Sequence, residues 1–183
     1  MPIVLNGTSG DISGSSLTGI DTGKILQVVQ AVNTDTFSTA SASYVDVTGI
    51  SVSITPSATT SKILIAVSIG FVSGSHTGNT AVYPQFQIVR NGTAIALGDA
   101  SGNRGRCTFS VLTNLHGGYN GTSAAFEFLD SPSTTSAITY KIQARGGYTD
   151  SDQSFYVNRM DNDDNQLYTA RTPSTLIAKE VAA

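Results

Sequence analysis

The acidic run DNDDN is the stretch of this sequence whose residue types and spacing come closest to a metal site. Asp161, Asp163 and Asn165 match the first three ligand positions of a calcium-binding loop, in which hard oxygen atoms surround the cation. The pattern then departs, because Gln166 replaces the glycine of the sharp turn and Thr172 replaces the closing bidentate glutamate. We therefore predict a solvated turn that requires no cofactor, with calcium binding as the weaker alternative.

Nucleophilic catalysis has equally few candidates. The two histidines, His76 and His116, both lie in glycine-rich surroundings typical of solvated loops. Ser73 in GFVSG is one place away from the nucleophile position of G-x-S-x-G, and no helical pattern follows it. Glycoside hydrolysis would need a pair of carboxylates in a strand context, which the sequence lacks. We predict that the chain is not an enzyme, and a polysaccharide-degrading enzyme is the remote alternative.

Two tyrosines carry the remaining candidate chemistry. Tyr119 in HGGYNG and Tyr148 in GGYTDSDQSFYV lie in loop sequences, where an aromatic ring could stack on a sugar. Ordinary loop tyrosines explain both positions more simply. The sequence therefore offers a host-surface glycan only as a candidate partner.

Charge and composition exclude several classes of protein. The net charge is -3, charged residues make up 13% of the 183 residues, and the arginines form no basic stripe, so nucleic acid is a poor partner. No apolar run approaches the ~18 residues of a membrane helix, and the N-terminus lacks a secretory signal, so we expect no membrane insertion. Cys107 is the only cysteine, which excludes an intrachain disulfide, and we expect it to be a buried small hydrophobe.

Alternation with a period of two dominates the elements that must position these residues. In KILIAVSIGF the larger residues share one face, and in AITYKIQAR they again share one: Ile63, Ile65, Val67, Ile69 and Phe71, then Ile138, Tyr140, Ile142 and Ala144. Such runs predict strands with one buried face. Leu64, Ala66, Ser68 and Gly70 would form a second, small and uncharged face, which neighbouring subunits would cover.

Two glycines and a repeated phrase mark the turns. The apolar parity changes at Gly49, which predicts a β-bulge or a bend there. Asn91-Gly92 between two alternating runs predicts a two-residue hairpin. TPSATTSKILIAVS and SPSTTSAITYKIQA repeat one pattern, and we interpret each as a corner that ends one strand and starts the next, as in a hairpin.

The number and spacing of these runs predict the fold class. Roughly nine strands with no helical period indicate an all-β protein, an antiparallel β-sandwich of the jelly-roll type. Residues 1–23 are rich in Gly and Ser with isolated apolar residues, so they are predicted to be an extended N-terminal arm. Residues 24–183 are predicted to form a single β-sandwich domain.

Several stretches of the sequence resemble those of small structural proteins of tailed bacteriophages, particularly tail-fibre and spike-like proteins. The resemblance is carried by LNGTSGDISG, GKILQVVQ, SYVDVTGISVSITPSATTSKILIAVS, IVRNGTAIALGD, FLDSPSTTSAITYKIQAR and STLIAKEV. It implies a homotrimer of β-rich heads located in the virion, with the arm docked on other virion proteins. The chain has no long shaft, which departs from a full-length fibre and leaves a distal head or a capsid decoration protein open.

Three hypotheses of function follow. The first is a bacteriophage virion structural protein, a tail-fibre or spike head that attaches through residues 1–23 and presents loops to the host surface. The second is a capsid decoration protein. The third is a free carbohydrate-binding module, which predicts a monomer with affinity for glycans.

Overall fold

A computed structural model describes residues 24–76, 81–113, 119–147 and 153–182 of the chain. These residues form strands joined by turns and loops, and none of them is helical, so no membrane-crossing helix is found among them. The predicted arm, residues 1–23, lies outside the described residues. The strands are β1 (Ile25–Asn33), β2 (Phe37–Thr39), β3 (Val45–Ile54), β4 (Lys62–His76), β5 (Gln85–Arg90), β6 (Thr93–Ile95), β7 (Phe109–Ser110), β8 (Gly121–Asp130), β9 (Ile138–Arg145), β10 (Gln153–Val157) and β11 (Ser174–Val181).

The strands form two antiparallel sheets. Sheet A has the order β1-β11-β4-β10-β2, and β8 pairs with the other edge of β4. In sheet A, β11 and β10 lie end to end along one edge of β4, pairing with its first and second halves. Sheet B has the order β3-β9-β5-β6, and β7 pairs with β5 beside β6. The prediction of an all-β antiparallel sandwich is confirmed.

The pairing of the strands is nested in the way that defines a jelly roll. The outermost pairs along the chain are β1 with β11 and β2 with β10, followed by β3 with β9, then β4 with β8, and finally β5 with β6 and β7. The two outermost pairs lie in sheet A, and the pairs inside them alternate between sheet B, sheet A and sheet B. A long hairpin wrapped over itself produces this order, as in two interlocked Greek keys.

Alternating residues of both sheets fill the core, as the sequence predicts. Ile63, Ile65, Val67 and Ile69 of β4 face Ile138, Tyr140, Ile142 and Ala144 of β9 across the sandwich, and all eight are at most 3% exposed. Burying one such aliphatic side chain contributes roughly 1.5–3 kcal/mol. The alternation of apolar and polar residues in β4 and β9 therefore specifies which face of each sheet is turned towards the core.

Two predictions of buried residues are wrong. The register of β4 against β8 shifts between Ile69 and Val72, so Val72 takes the next core position and Phe71 is only half-buried. Cys107 is also half-buried, because it precedes β7 in a loop, where its carbonyl accepts a hydrogen bond from Gly98 at 3.2 Å. Its pKa is raised by this burial.

Both glycine predictions are confirmed. The register of β3 shifts between Asp46 and Ser51, and Gly49 has φ +81° with Asn33 so close that an added Cβ would lie 2.8 Å from its side chain. Asn91 and Gly92 have φ values of 46° and 87°, and the flanking Arg90 and Thr93 pair directly. Positive φ at both central residues is the geometry of a type I′ hairpin turn.

The two repeated phrases are corners, but they join different sheets and not the two strands of one hairpin. The first connects β3 of sheet B to β4 of sheet A, and the second connects β8 of sheet A to β9 of sheet B. Both lie at the same end of the sandwich, since Ile54 pairs with Ile138 and Ile63 pairs with Asp130. The repeated sequence pattern therefore forms two adjacent connections between the sheets.

Candidate functional site

The segment 158–173 connects β10 to β11. It leaves sheet A after β10 and returns to the same edge of β4 at the start of β11. Asn158, with φ 66°, is fully buried and donates from Nδ2 to the carbonyl oxygens of Asn33 and Asp35, both at 2.9 Å. Its Oδ1 accepts the hydroxyl of Ser174 at 2.6 Å. At the other end of the segment, the backbone N–H of Phe71 donates to Thr172 Oγ1 at 2.6 Å. Both ends of this acidic segment are thus fixed to the sandwich.

Ser73, the serine of the incomplete nucleophile motif, lies beneath this segment. Its side chain is fully buried, and its hydroxyl donates to the carbonyl oxygen of Arg159 at 3.0 Å. The Arg159 guanidinium in turn lies 3.9 Å from the ring centre of Tyr156. Ser73 therefore anchors the segment and presents no accessible nucleophile.

Two arginines contact the DNDDN run, mainly at the carboxylate of Asp163. Asp163 Oδ2 accepts a hydrogen bond from Arg171 Nη2, and Arg159 Nη1 lies 3.6 Å from the same oxygen. The main-chain oxygen of Asp161 accepts from Arg159. Among the described residues, no three acidic, histidine or cysteine side chains converge as metal ligands would. The candidate ligands Asp161, Asp163 and Asn165 therefore belong to a loop whose positive charge comes from arginine.

The structure brings Tyr119 to this same loop, although 45 residues separate it from its partner. The Tyr119 hydroxyl donates to Asp164 Oδ2 at 3.0 Å, and its ring meets that of Tyr168 edge to face, with centres 5.4 Å apart. Both tyrosines are exposed, as is Leu167. The other sequence candidates Tyr148 and His116 lie outside the described residues.

We refer to Tyr119, Tyr168 and the residues that line the cleft beside them as the loop cluster. Beside the two tyrosines, a cleft of about 270 Å³ is lined by Asp163, Asp164, Asn165, Gln166, Thr169 and Arg171. The walls combine carboxylate acceptors, amides that both donate and accept, and a guanidinium donor. Such a cleft can hydrogen-bond a polyhydroxylated molecule while the tyrosine rings contact its apolar face.

A second candidate surface lies on sheet A, where β1, β11, β4 and β8 run side by side. Three side chains of each strand point away from the core, and we call these twelve the outer face of sheet A: Val28, Gln30 and Val32; Thr175, Ile177 and Lys179; Leu64, Ala66 and Ser68; and Ala125, Glu127 and Leu129. Seven of the twelve are apolar, and two are charged. No side-chain hydrogen bond or ion pair joins any of them to another described residue.

Several of these apolar side chains are well exposed. Val28, Val32 and Leu129 are 55%, 57% and 46% exposed. Small residues around Ala66 and Ala125 leave a groove of about 360 Å³ in the middle of the face. Ile177, Ala66, Leu64 and Leu129 form a connected apolar patch through these pairings, and an apolar patch with a groove is typical of a surface that contacts another molecule. Sequence analysis identified Leu64, Ala66 and Ser68 here, whereas Gly70 faces Thr172.

The contribution of β1 and β8 to this face was missed. Leu129 becomes a neighbour of Leu64, and Val28 a neighbour of Lys179, only through pairing across the sheet, and no local pattern shows which strands will pair. The alternation in β8, with Phe126 and Phe128 packed on the core, indicates that Leu129 faces outward. This alternation in β8 is the sequence feature from which the outward position of Leu129 could have been predicted.

Comparison with known proteins gives little further constraint. No family model matches the chain, and no curated protein matches it. Among solved structures, it is similar to a chain in a structure of infectious bursal disease virus Gx strain, with 16% identity, a TM-score of 0.36 and 99% of this chain covered. A chain in a structure of infectious bursal disease virus Gt strain gives 19% identity, a TM-score of 0.35 and 100% coverage.

This chain spans 44% and 42% of the two solved chains, which is less than half of each. At these TM-scores the likeness carries no conclusion about function. The two candidate surfaces are therefore judged by their own chemistry.

Proposed function

We propose that this protein is a structural component of a bacteriophage virion, a tail-fibre or spike head that assembles as a homotrimer. Residues 1–23 attach it to other virion proteins, and its loops are presented to the host surface. The chain acts by assembling and binding, not by catalysis. The observation that carries this proposal is the outer face of sheet A, which is largely apolar and whose side chains have no polar partners among the described residues.

The physical argument starts from solvation. The outer face of an antiparallel sheet in a monomeric sandwich is normally polar, because one face packs on the core while the other meets water. Here Val28, Ile177, Leu64 and Leu129 lie on the water side of four adjacent strands. Covering such a patch with another protein surface removes apolar area from water, which stabilises an assembly by roughly 25 cal/mol per Å² before the costs of association.

The proposed number of subunits and the proposed tail location rest on the resemblance of the sequence to phage fibre proteins. A capsid decoration protein would use the same assembling face, and it belongs to the same structural class. Both versions of the proposal require copies of the chain to associate in solution or on the particle.

A free carbohydrate-binding module is the second candidate, and the loop cluster favours it. Tyr119 and Tyr168 offer two exposed rings beside a cleft rich in hydrogen-bonding groups. A glycan bound there would be compatible with a virion head as well. What separates the two functions is the oligomeric state, since the module predicts a monomer.

Analytical ultracentrifugation at micromolar concentration tests the proposal. The full chain is expected to sediment as a species of about three times 19.0 kDa, and residues 24–183 alone should keep that mass if the face is sufficient. A 19.0 kDa species for both forms would contradict assembly. That result, together with retention on a glycan array, would support the free module instead.

A further inference from the structure

The two charges on the outer face of sheet A lie on opposite sides of its central strand. Lys179 is on β11 beside Leu64, and Glu127 is on β8 beside Ala66. The two residues are separated by two strand spacings and one step of two residues along the strands, about 10 Å by about 7 Å. Neither forms an ion pair with a residue of the described ranges.

Charged groups of sheet B are arranged differently. Lys141 donates to Asp46 at 2.7 Å, and Gln143 donates to the other oxygen of the same carboxylate, also at 2.7 Å. Lys141 and Asp46 of that sheet face are therefore matched inside one chain, and Arg145 on the same face donates to Gln85. Lys179 and Glu127 of the outer face of sheet A have opposite signs, are surrounded by apolar side chains, and have no ion-pair partner in the described part of the chain.

We propose that the outer face of sheet A binds a second copy of this chain, with Lys179 of one copy opposite Glu127 of the next. This inference rests on the assembly in the proposed function and identifies its interface. Each copy carries one lysine on its β11 side and one glutamate on its β8 side. A closed ring in which the β11 side of one copy meets the β8 side of its neighbour therefore pairs every charge.

The arrangement also gives the contact its specificity. Burial of an unpaired charge in an apolar interface is strongly unfavourable, so alignments that leave Lys179 or Glu127 against apolar side chains are disfavoured. The remaining ten positions are uncharged and add area without dictating alignment. Lys62 lies one row nearer the end of the sandwich, at the rim of the face.

Charge reversal tests the pairing in the full chain. We expect Lys179→Glu and Glu127→Lys each to weaken self-association on the order of ten-fold or more, because each places like charges opposite each other. The double variant Lys179→Glu/Glu127→Lys restores opposite charges and should return close to the wild-type association. Lys141→Glu on sheet B is the matched control, and its association should be unchanged. Sedimentation velocity over a dilution series measures all four, with circular dichroism to verify that each is folded.

The outcomes separate this inference from the proposed function. A wild-type chain that assembles while the single variants assemble equally well would overturn the pairing and leave the assembly standing. Single variants that are weakened without recovery in the double variant would also overturn it, since a different partner surface would then face the charges. Assembly that is lost on removal of residues 1–23 and ignores the charge reversals would also overturn the pairing and would assign the contact between copies to that segment.

Discussion

The outer faces of the two sheets are both built from antiparallel strands, yet their polar groups are bonded in opposite ways. On sheet B, Asp46 accepts from Lys141 and Gln143, Gln87 donates to Gln143 at 2.8 Å, and Gln85 accepts from Arg145. The twelve residues of the outer face of sheet A make no such bonds among the described residues. A sheet face whose polar groups bond to each other within one chain needs no second molecule to satisfy them. On the outer face of sheet A, the two charges have no ion-pair partner among the described residues, and we propose that a second copy of the chain supplies one.

Under the proposed assembly, this difference separates the parts of the molecule that stabilise one chain from the face that would contact another copy. Bonds across the sandwich, at its corners and on sheet B should affect the folded chain at any protein concentration. Changes on the outer face of sheet A should affect the chain mainly through association, and therefore depend on concentration. The following predictions test that division, beginning with the largest expected effect.

Asp130 joins the two sheets and should give the largest loss of stability. Its carboxylate accepts two hydrogen bonds from Arg90 Nη1, at 2.7 and 2.8 Å, and one from the buried Tyr140 hydroxyl at 2.6 Å. Asp130→Ala leaves both donors without an acceptor and is expected to lower the free energy of unfolding by about 3–5 kcal/mol. Urea denaturation at two protein concentrations measures this, and a loss below about 1 kcal/mol would contradict the role of Asp130 in joining the sheets.

Glu180 fixes the first corner and should make stability depend on pH. It is 1% exposed, and burial alone would raise its pKa. The hydrogen bonds that its carboxylate accepts from Ser57, Ser61 and Gln27 outweigh that effect and lower its pKa to about 2. Because the pKa in the folded chain is below the ordinary value of 4.5, this contribution is present above pH 4.5 and is lost as pH falls towards 2.

Thermal melts between pH 6 and pH 2.5 measure the contribution of Glu180. The wild type should lose stability across that range, and Glu180→Gln should start lower and lose less. Parallel curves for the two proteins would show that the carboxylate does not link this corner to pH.

The hairpin turn of sheet B should give a smaller effect. An added Cβ at Gly92 would meet no atom within 4 Å, so the penalty for a substitution there comes from the backbone angle alone. Gly92→Val is expected to cost on the order of 1 kcal/mol or more, because a β-branched residue resists positive φ. An unchanged midpoint in urea would argue against the turn, and Gly92→Asn, which tolerates positive φ, provides the matched control.

The polar network on sheet B itself should give the smallest effect. Asp46 is half exposed, and its pKa is lowered by the hydrogen bond from Lys141 and then by that from Gln143. Asp46→Ala should therefore cost at most about 1 kcal/mol, as surface ion pairs generally do. The cost should be equal at low and high protein concentration. A cost that grows with concentration would place sheet B in the interface and weaken the contrast between the faces.

The sequence predicts local features well and long-range ones poorly. Alternation identifies the core residues of β4 and β9, and the conformational needs of Gly49 and Gly92 are visible in single residues. The bulge that moves Phe71 away from the core depends on the register against β8, which alternation within β4 does not encode. The contact between Tyr119 and Asp164 depends on a segment fixed by Asn158, and the corners were misread because a turn sequence does not reveal which sheet receives the next strand.

One comparison tests the central claim most directly: sedimentation velocity of Ala66→Glu beside Ser51→Glu. Ala66 lies in the middle of the outer face of sheet A, and Ser51 lies at an exposed position on sheet B, paired with Lys141. Each variant adds one carboxylate to a solvent-facing position of a strand. The account predicts that Ala66→Glu sediments as a folded species of 19.0 kDa while Ser51→Glu keeps the mass of the wild-type assembly. Equal masses for the two variants, both assembled or both monomeric, would contradict it.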